Sequence, residues 1–252
     1  MMRVDLNSDM GESFGPWKMG DDDALLDIVT SANIACGFHA GDPDVMARTM
    51  ARAHAKGVGI GAHPGFADLQ GFGRRRIRLS GEELANMVAY QLGAAQGIAR
   101  AAGAELRHLK LHGALSNMAT DEPEIARICY EAALKVAPEL ILVVLAGTGM
   151  ETAARDLGAT YAGEIFADRA YNDDASLVDR SQPGAVLHDP EEAGRRMVQM
   201  VREGAIITGS GKRISCRIDT ICVHGDSPQA VAMAAGVRQA LVESGIDVRR
   251  FG

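Results

Sequence analysis

The sequence predicts an α/β fold, with parallel strands and helices alternating and closing as a TIM-like (β/α) barrel of about seven units. Residues 1–252 are expected to form a single domain, with a β-hairpin insertion near 205–217. Three observations lead there. Short apolar runs alternate with longer amphipathic segments almost from end to end, the mark of a parallel sheet with right-handed crossovers. Hydrophobic residues make up 47% of the 252 residues but aromatics only 4%, so the core is aliphatic. Polar residues follow nearly every strand, as they do when all strand ends face one shared site. An open doubly wound sheet would gather them at one switch point.

Lys plus Arg number 26 and Asp plus Glu 33, a net charge of −7 with no basic cluster, which argues against nucleic acid as a partner. No run approaches the ~18 apolar residues of a membrane span, and Met1 to Asn7 form no apolar signal segment, so neither membrane nor export is expected. Cys36, Cys129, Cys216 and Cys222 form no CxxC pair, and a reduced, cytoplasmic protein follows. Self-association into a homo-oligomer is compatible with this composition.

The first strand is expected over Arg3–Leu6 and runs into Asp5, Asn7, Asp9 and Glu12. Asp5, Asn7 and Asp9 share a parity and can point the same way. Carboxylates beside an amide at a strand end bind a metal, orient a water or hold a substrate amine, although Asn-Ser-Asp also suits a plain turn. A helix over Asp21–Val29 follows, then a strand over Ser31–Ala35 that carries Asn33 and leads into Cys36-Gly37-Phe38-His39-Ala40-Gly41-Asp42. The flanking glycines hold His39 on a constrained loop, as a base or metal ligand requires. Asp42 reads as the cap of a helix over Pro43–Ala55 and Cys36 as a small buried hydrophobe.

The third strand, Val58–Gly61, delivers His63 just before a Pro64-Gly65 turn. Arg74-Arg75-Arg76 follows, of which one can grip a carboxylate or phosphate while at least two read as solvated surface. A capping box, Ser80-Gly81-Glu82-Glu83, opens a helix over Gly81–Ala102. The fourth strand, Leu106–Leu111, carries the sharpest signal. Alternation places His108, Lys110 and His112 on one side and Leu109 and Leu111 on the other. In a barrel the apolar side faces the helices and Lys110 and His112 point into the lumen, where a lysine is costly unless paired or functional.

A helix over Glu122–Val136 leads to a fifth strand, Leu140–Leu145, which ends in the small loop Ala146-Gly147-Thr148-Gly149 before a helix over Met150–Asp156. The sixth strand, Thr160–Ala162, ends in Gly163-Glu164 and is followed by Asp168-Arg169. Gly163–Asp189 is polar and turn-rich and reads as an excursion over the barrel mouth. A helix over Pro190–Glu203 and the hairpin over Ala205–Arg217 precede the seventh strand, Asp219–Val223. That strand ends at His224-Gly225-Asp226, and Ser227 caps a helix over Pro228–Ser244. Gly209-Ser210-Gly211-Lys212 imitates the tail of a P-loop, but Ile206 stands where its first glycine belongs and Arg213 replaces Ser or Thr. The chain therefore carries no recognisable nucleotide motif.

Six stretches taken together resemble the LamB/YcsF family: Val4 to Glu12, Asn33 to Asp42, Gly61 to Pro64, Lys110 to Leu115, Glu164 to Arg169 and Cys222 to Asp226. They span nearly the whole chain in order. One departure is Gly147-Thr148-Gly149, where a Gly-Ser-type loop is more usual. The resemblance implies a seven-stranded β/α barrel related to carbohydrate deacetylases and glycoside hydrolases. It also implies ATP-dependent opening of the lactam 5-oxo-L-proline to L-glutamate, together with 5-oxoprolinase subunits B and C. ATP would then act through the complex. Under this reading the catalytic candidates are Asp5, Asn7, Asp9, Glu12, His39, His63, Lys110 and His112. Histidines would move protons, and Asp5, Asp9 or Glu12 would orient water. The substrate-binding candidates are Asn33, Arg74, Glu164, Arg169, His224 and Asp226, with Lys110 or Arg169 meeting a carboxylate or phosphate.

Two rival readings stand beside it. A stand-alone metal-dependent amidase or deacetylase would use His39, His63, His112 and the Asp5–Asp9 pair to hold a divalent metal. There is no HExxH, and His108 and His112 lie roughly 13 Å apart if both are on a strand, too far to share an ion. A non-catalytic scaffold protein would leave the inward Lys110 and histidines unexplained.

Overall fold

The computed structural model describes residues 2–225 and 229–252. Strand β1 (Arg3–Met10) leads through the short helix α1 (Asp22–Leu25) to β2 (Ser31–Ala35), and α2 (Pro43–Ala55) leads on to β3 (Gly59–His63). Helix α3 (Gly81–Ala101) precedes β4 (Leu106–Lys110), and the pair α4 (Gly113–Asp121) and α5 (Pro123–Val136) precedes β5 (Ile141–Leu145). Then come α6 (Gly149–Asp156), β6 (Tyr161–Phe166), the excursion, and α7 (Pro190–Glu203). The hairpin β7 (Ala205–Ile207) and β8 (Arg213–Ser215) leads to β9 (Thr220–Val223), α8 (Ala230–Glu243) and β10 (Asp247–Val248).

All pairings among β1 to β6 and β9 are parallel, and β1 pairs with β2 on one edge and β9 on the other. These strands therefore close into a barrel with the helices outside it. β10 adds a short parallel pairing at the start of β1, Arg3 against Asp247. β7 and β8 pair antiparallel as the expected hairpin. Among the described residues no helix is long and apolar enough to cross a membrane.

The two faces of the barrel wall divide by strand parity. Leu6, Ile34, Ala62, Leu109, Leu142, Ile165 and Ile221 face outward and share one core with Met50, Leu92, Leu115, Met197 and Val237 of the helices. Many inward positions are polar: Asp5, Asn7, Asp9, Asn33, His63, His108, Lys110, Glu164 and Thr220 are all buried, while β5 turns Val143 and Leu145 inward. A barrel interior is more often packed with branched aliphatics. Here buried polar groups satisfy one another across the lumen instead.

That inversion explains where the sequence expectation fell short. β1 runs to Met10, beyond the expected Leu6, because Asn7, Ser8 and Asp9 continue the ladder against Ser31, Ala32 and Asn33; they form strand, not turn. β3 extends through His63, with a register shift at Ile60 and Gly61. Pro43–Ala55 and Pro190–Glu203 match expectation residue for residue. Asp42 accepts from the Asp44 and Val45 amides at 2.9 Å each, and Asp189 from the Glu191 amide at 3.0 Å. The Ser80–Glu83 capping box is present. Helix α4 is an addition to the expected elements, and α1 stops at Leu25, short of Val29. The proposed cap Ser227 and its Pro228 lie outside the described residues.

Candidate functional site

The inward side chains form a polar column up the barrel axis. At its floor Asp5 accepts hydroxyl hydrogens from Thr30 at 2.6 Å, Ser31 at 2.7 Å and Thr220 at 2.5 Å. Burial pushes its carboxyl up to about 6 despite these donors. One layer higher, Asn7 donates to Glu164 at 3.1 Å and to Thr220 at 2.6 Å, while Asn33 donates to Asn7 at 2.7 Å and to Asp9 at 2.9 Å. His108 bonds the Asn33 carbonyl oxygen at 2.8 Å, an acceptor, so its Nε2 carries the hydrogen.

Lys110 sits above this layer. Its Nζ is 3.0 Å from Asp9 Oδ1, 2.9 Å from Glu164 Oε1 and 3.0 Å from Cys222 Sγ. Burial alone would lower the lysine, but Asp9, Cys222 and Glu164 hold it well above its ordinary value. Burial would likewise raise Asp9, and the charges of His63 and Lys110 outweigh it and keep Asp9 well below the usual carboxylate range. Glu164 ends raised, with burial exceeding its attraction to Lys110. The quartet is thus an ammonium paired to an ionised Asp9, next to a Glu164 carboxyl that burial holds above its ordinary value.

The histidines crown the column. His63 Nδ1 lies 2.8 Å from the Lys110 carbonyl oxygen, and His63 Nε2 lies 3.3 Å from Asp9 Oδ2. His112 immediately precedes α4, with Nε2 2.8 Å from the Phe72 carbonyl oxygen and Nδ1 3.0 Å from His63 Nε2. His39 stacks on His112 at 3.6 Å between centroids. Neither ring nitrogen of His39 has a hydrogen-bond partner among the described residues, although the side chain is fully buried. Burial, with His112 and His63 beside it, holds His39 well below its ordinary value, and burial takes His112 down to about 3. Gly65 and Gly73 make room for this stack: a Cβ on either would come within 2.7 Å of His39. Carboxylate and ring nitrogen atoms of Glu12, His39, His63 and His112 lie within 4.8 Å of one another, a donor set able to hold a metal ion. A cavity of about 260 Å³ opens above Glu12 and His39, walled by Phe14, Trp17, Met19 and Phe72.

A second polar group lies at the same end. His224 Nδ1 bonds both oxygens of Asp168, at 2.8 and 2.7 Å, and its Nε2 receives Arg180 of the excursion at 2.9 Å. His224 stacks on Phe166, whose ring also carries Lys110 Nζ 5.0 Å from its centroid. Sequence reasoning named Asp168 and His224, but nothing local announces a pairing across 56 residues, and it passed over Arg180 and the Cys222–Lys110 contact altogether.

The structure brings Asn7, Asp9, Asn33, His63, Lys110, His112 and Glu164 into one bonded network, with His39 stacked on it and Asp5 beneath. Arg74 lies over the Phe72 ring at 4.8 Å, while Arg75 pairs with Asp68 and Arg76 with Asp121, as surface arginines. Arg169 donates to the Val178 carbonyl at 2.6 Å and the Ala185 carbonyl at 3.4 Å, which pins the excursion. Asp226 lies outside the described residues.

A polar barrel of this kind has relatives among known proteins. The model of the LamB/YcsF family matches residues 4–252. The chain belongs to the LamB/YcsF family. Within it, a Ruegeria pomeroyi protein named as the A subunit of 5-oxoprolinase is 65% identical over 251 residues, covering 100% of this chain and 99% of the relative. A crystal structure of a lactam utilization protein from Thermus thermophilus superposes with a TM-score of 0.93 at 45% identity, covering 99% of this chain and 100% of that one. The catalytic domain of a peptidoglycan N-acetylglucosamine deacetylase from Eubacterium rectale shares the fold alone, with a TM-score of 0.51 at 11% identity over 100% of this chain and 88% of that one. The barrel therefore agrees with what the LamB/YcsF resemblance implied, and the hairpin with the turn pattern read over Ala205–Arg217.

Proposed function

We propose that this LamB/YcsF chain is the A component of a 5-oxoprolinase, which opens 5-oxo-L-proline to L-glutamate with hydrolysis of ATP, together with subunits B and C. The observation that carries this reading is the 65% identity, over the whole chain, to a protein of that name. A lactam is a poor electrophile. Transfer of a phosphoryl group to its amide oxygen activates the ring carbon, water adds there, and the C–N bond breaks as the nitrogen gains a proton. Hydrolysis of the resulting acyl phosphate then yields glutamate and phosphate. The chain has no nucleotide motif, so the phosphoryl group is assigned to the complex and the ring opening to this barrel.

In that division Lys110 steadies negative charge developing on oxygen, and Asp9, fixed by Asn33 and Lys110, orients the attacking water. Glu164, raised above its ordinary value by burial, is the candidate acid for the leaving nitrogen. His63 and His112 are the catalytic candidates that border Asp9 on the cavity side. Asn7 and Asn33 position the carboxylates, Asp5 anchors the floor, and Glu12 and His39 border the cavity. Arg74 is the candidate contact for the substrate carboxylate or phosphate, and His224 and Asp226 are further substrate-binding candidates. Four free cysteines accord with a cytoplasmic setting.

The test is glutamate release from 5-oxoproline and ATP by subunits B and C, with and without this chain. Release that needs all three supports the assignment. Equal release without this chain overturns it.

A further inference from the structure

The hydrogen bonds of His63 and His112 fix where their protons are. A backbone carbonyl only accepts, so His63 Nδ1, 2.8 Å from the Lys110 oxygen, and His112 Nε2, 2.8 Å from the Phe72 oxygen, both carry hydrogen. If both rings are neutral, each inner nitrogen is a bare lone pair. Those inner atoms, His63 Nε2 and His112 Nδ1, face each other at 3.0 Å. Two lone pairs at that distance repel, so the arrangement calls for a positive species shared by them, either a proton or a metal ion. The outer N–H···O=C bonds are also the supports that orient metal-bound imidazoles and set their tautomers.

His39 decides between the two. A proton shared by His63 and His112, balanced by Asp9 at 3.3 Å, would satisfy those rings and leave His39 as it stands, fully buried with neither nitrogen bonded among the described residues. An ion at the meeting point of the inner nitrogens would engage His39 as well, and Glu12 supplies an anionic oxygen within the same 4.8 Å group. We propose that Glu12, His39, His63 and His112 bind one divalent cation where their facing donor atoms meet. Three imidazoles and one carboxylate select a borderline ion of the Zn²⁺ or Co²⁺ type over Mg²⁺ or Ca²⁺. Such an ion holds its donors roughly 3.4 Å apart at bond lengths of about 2.1 Å, so closing the site takes side-chain shifts of about an ångström. When bound, it supplies Lewis acidity to a carbon–oxygen group entering from the cavity. The ion site rests on ligand geometry alone and is independent of the oxoprolinase assignment.

The experiment loads chelator-stripped, full-length protein with Co²⁺ and records the visible ligand-field bands, then repeats the titration with Zn²⁺ by calorimetry. The expected result is saturable binding of both ions with a low-coordinate Co²⁺ spectrum. His39→Ala and the near-isosteric Glu12→Gln each weaken Co²⁺ binding by more than roughly tenfold, with circular dichroism reporting the fold. Glu12→Gln carries the test if His39→Ala fails to fold. Absence of saturable binding in the wild type overturns the proposal, as does binding that Glu12→Gln leaves unchanged.

Discussion

Gly61 and His108 stand side by side on β3 and β4, and the His108 imidazole occupies the space that a Cβ on Gly61 would need. The same ring donates to Asn33, and Asn33 donates to Asp9. A missing side chain on one strand thus lets a histidine on the next support the carboxylate beside Lys110. Gly61→Ala is expected to lower stability by about 1–3 kcal/mol through overpacking. In a His108→Ala background the same change should cost much less, and urea denaturation of the double-mutant cycle reads the difference. Additive costs would show that the two residues do not compete for this space.

Lys110 is enclosed by two carboxyl groups and a thiol. Removing one partner of a buried ion pair strands the other, at about 3–5 kcal/mol. Lys110→Met should therefore lose both activity and stability, and adding Asp9→Asn, which removes the stranded carboxylate, should recover part of the stability. Chemical denaturation of the single and double variants measures it; a Lys110→Met protein as stable as wild type would contradict the pairing.

The floor of the barrel predicts a pH dependence. Asp5 titrates near 6 in the fold, above about 3.9 for an unfolded aspartate, so the folded protein binds that proton more tightly. The stabilisation is complete below about pH 4 and is lost as pH rises through about 6, an effect of roughly 3 kcal/mol. In Asp5→Asn that fall between pH 4 and 6 should be absent. Melts across this window decide the matter, and an undiminished slope in the variant would assign the proton elsewhere.

Arg180 donates to the nitrogen of His224 that the Asp168 contact leaves available. Under the oxoprolinase reading its guanidinium is placed to meet the substrate carboxylate at the mouth. Arg180→Ala should raise KM for 5-oxoproline roughly tenfold with kcat little changed, the scale of one charge-assisted hydrogen bond. Arg180→Lys should restore part of it. Steady-state kinetics of the reconstituted complex would show otherwise if kcat alone fell.

Much of this arrangement is legible from residue order. The alternation His108-Leu109-Lys110-Leu111 reports two faces of unlike polarity, and both are where it places them. Pro43 and Pro190 behind capping aspartates mark two helices at their first residues. The rest fails for physical reasons. Asn7, Ser8 and Asp9 look like a turn because strand propensity assumes an apolar interior, whereas this lumen is polar. Helix α4 begins at His112 without a side-chain cap bond, so it has no start signal. Contacts such as Asp168–His224 and Lys110–Cys222 join elements far apart in the chain, and no local pattern encodes them.

The closing seam of the barrel has a kinetic consequence. Asp5 on β1 meets Thr220 on β9, 215 residues later, and β10 then docks beside Arg3. Cylinder closure thus joins strands from opposite ends of the chain, and its loop entropy must be met late. During synthesis the first six strands emerge with one edge of β1 open and the Asp5 carboxylate short of its Thr220 donor. A nascent chain at that stage exposes an unpaired parallel edge, so the interval before Thr220 leaves the ribosome is the period in which this protein most needs protection from association with its own copies.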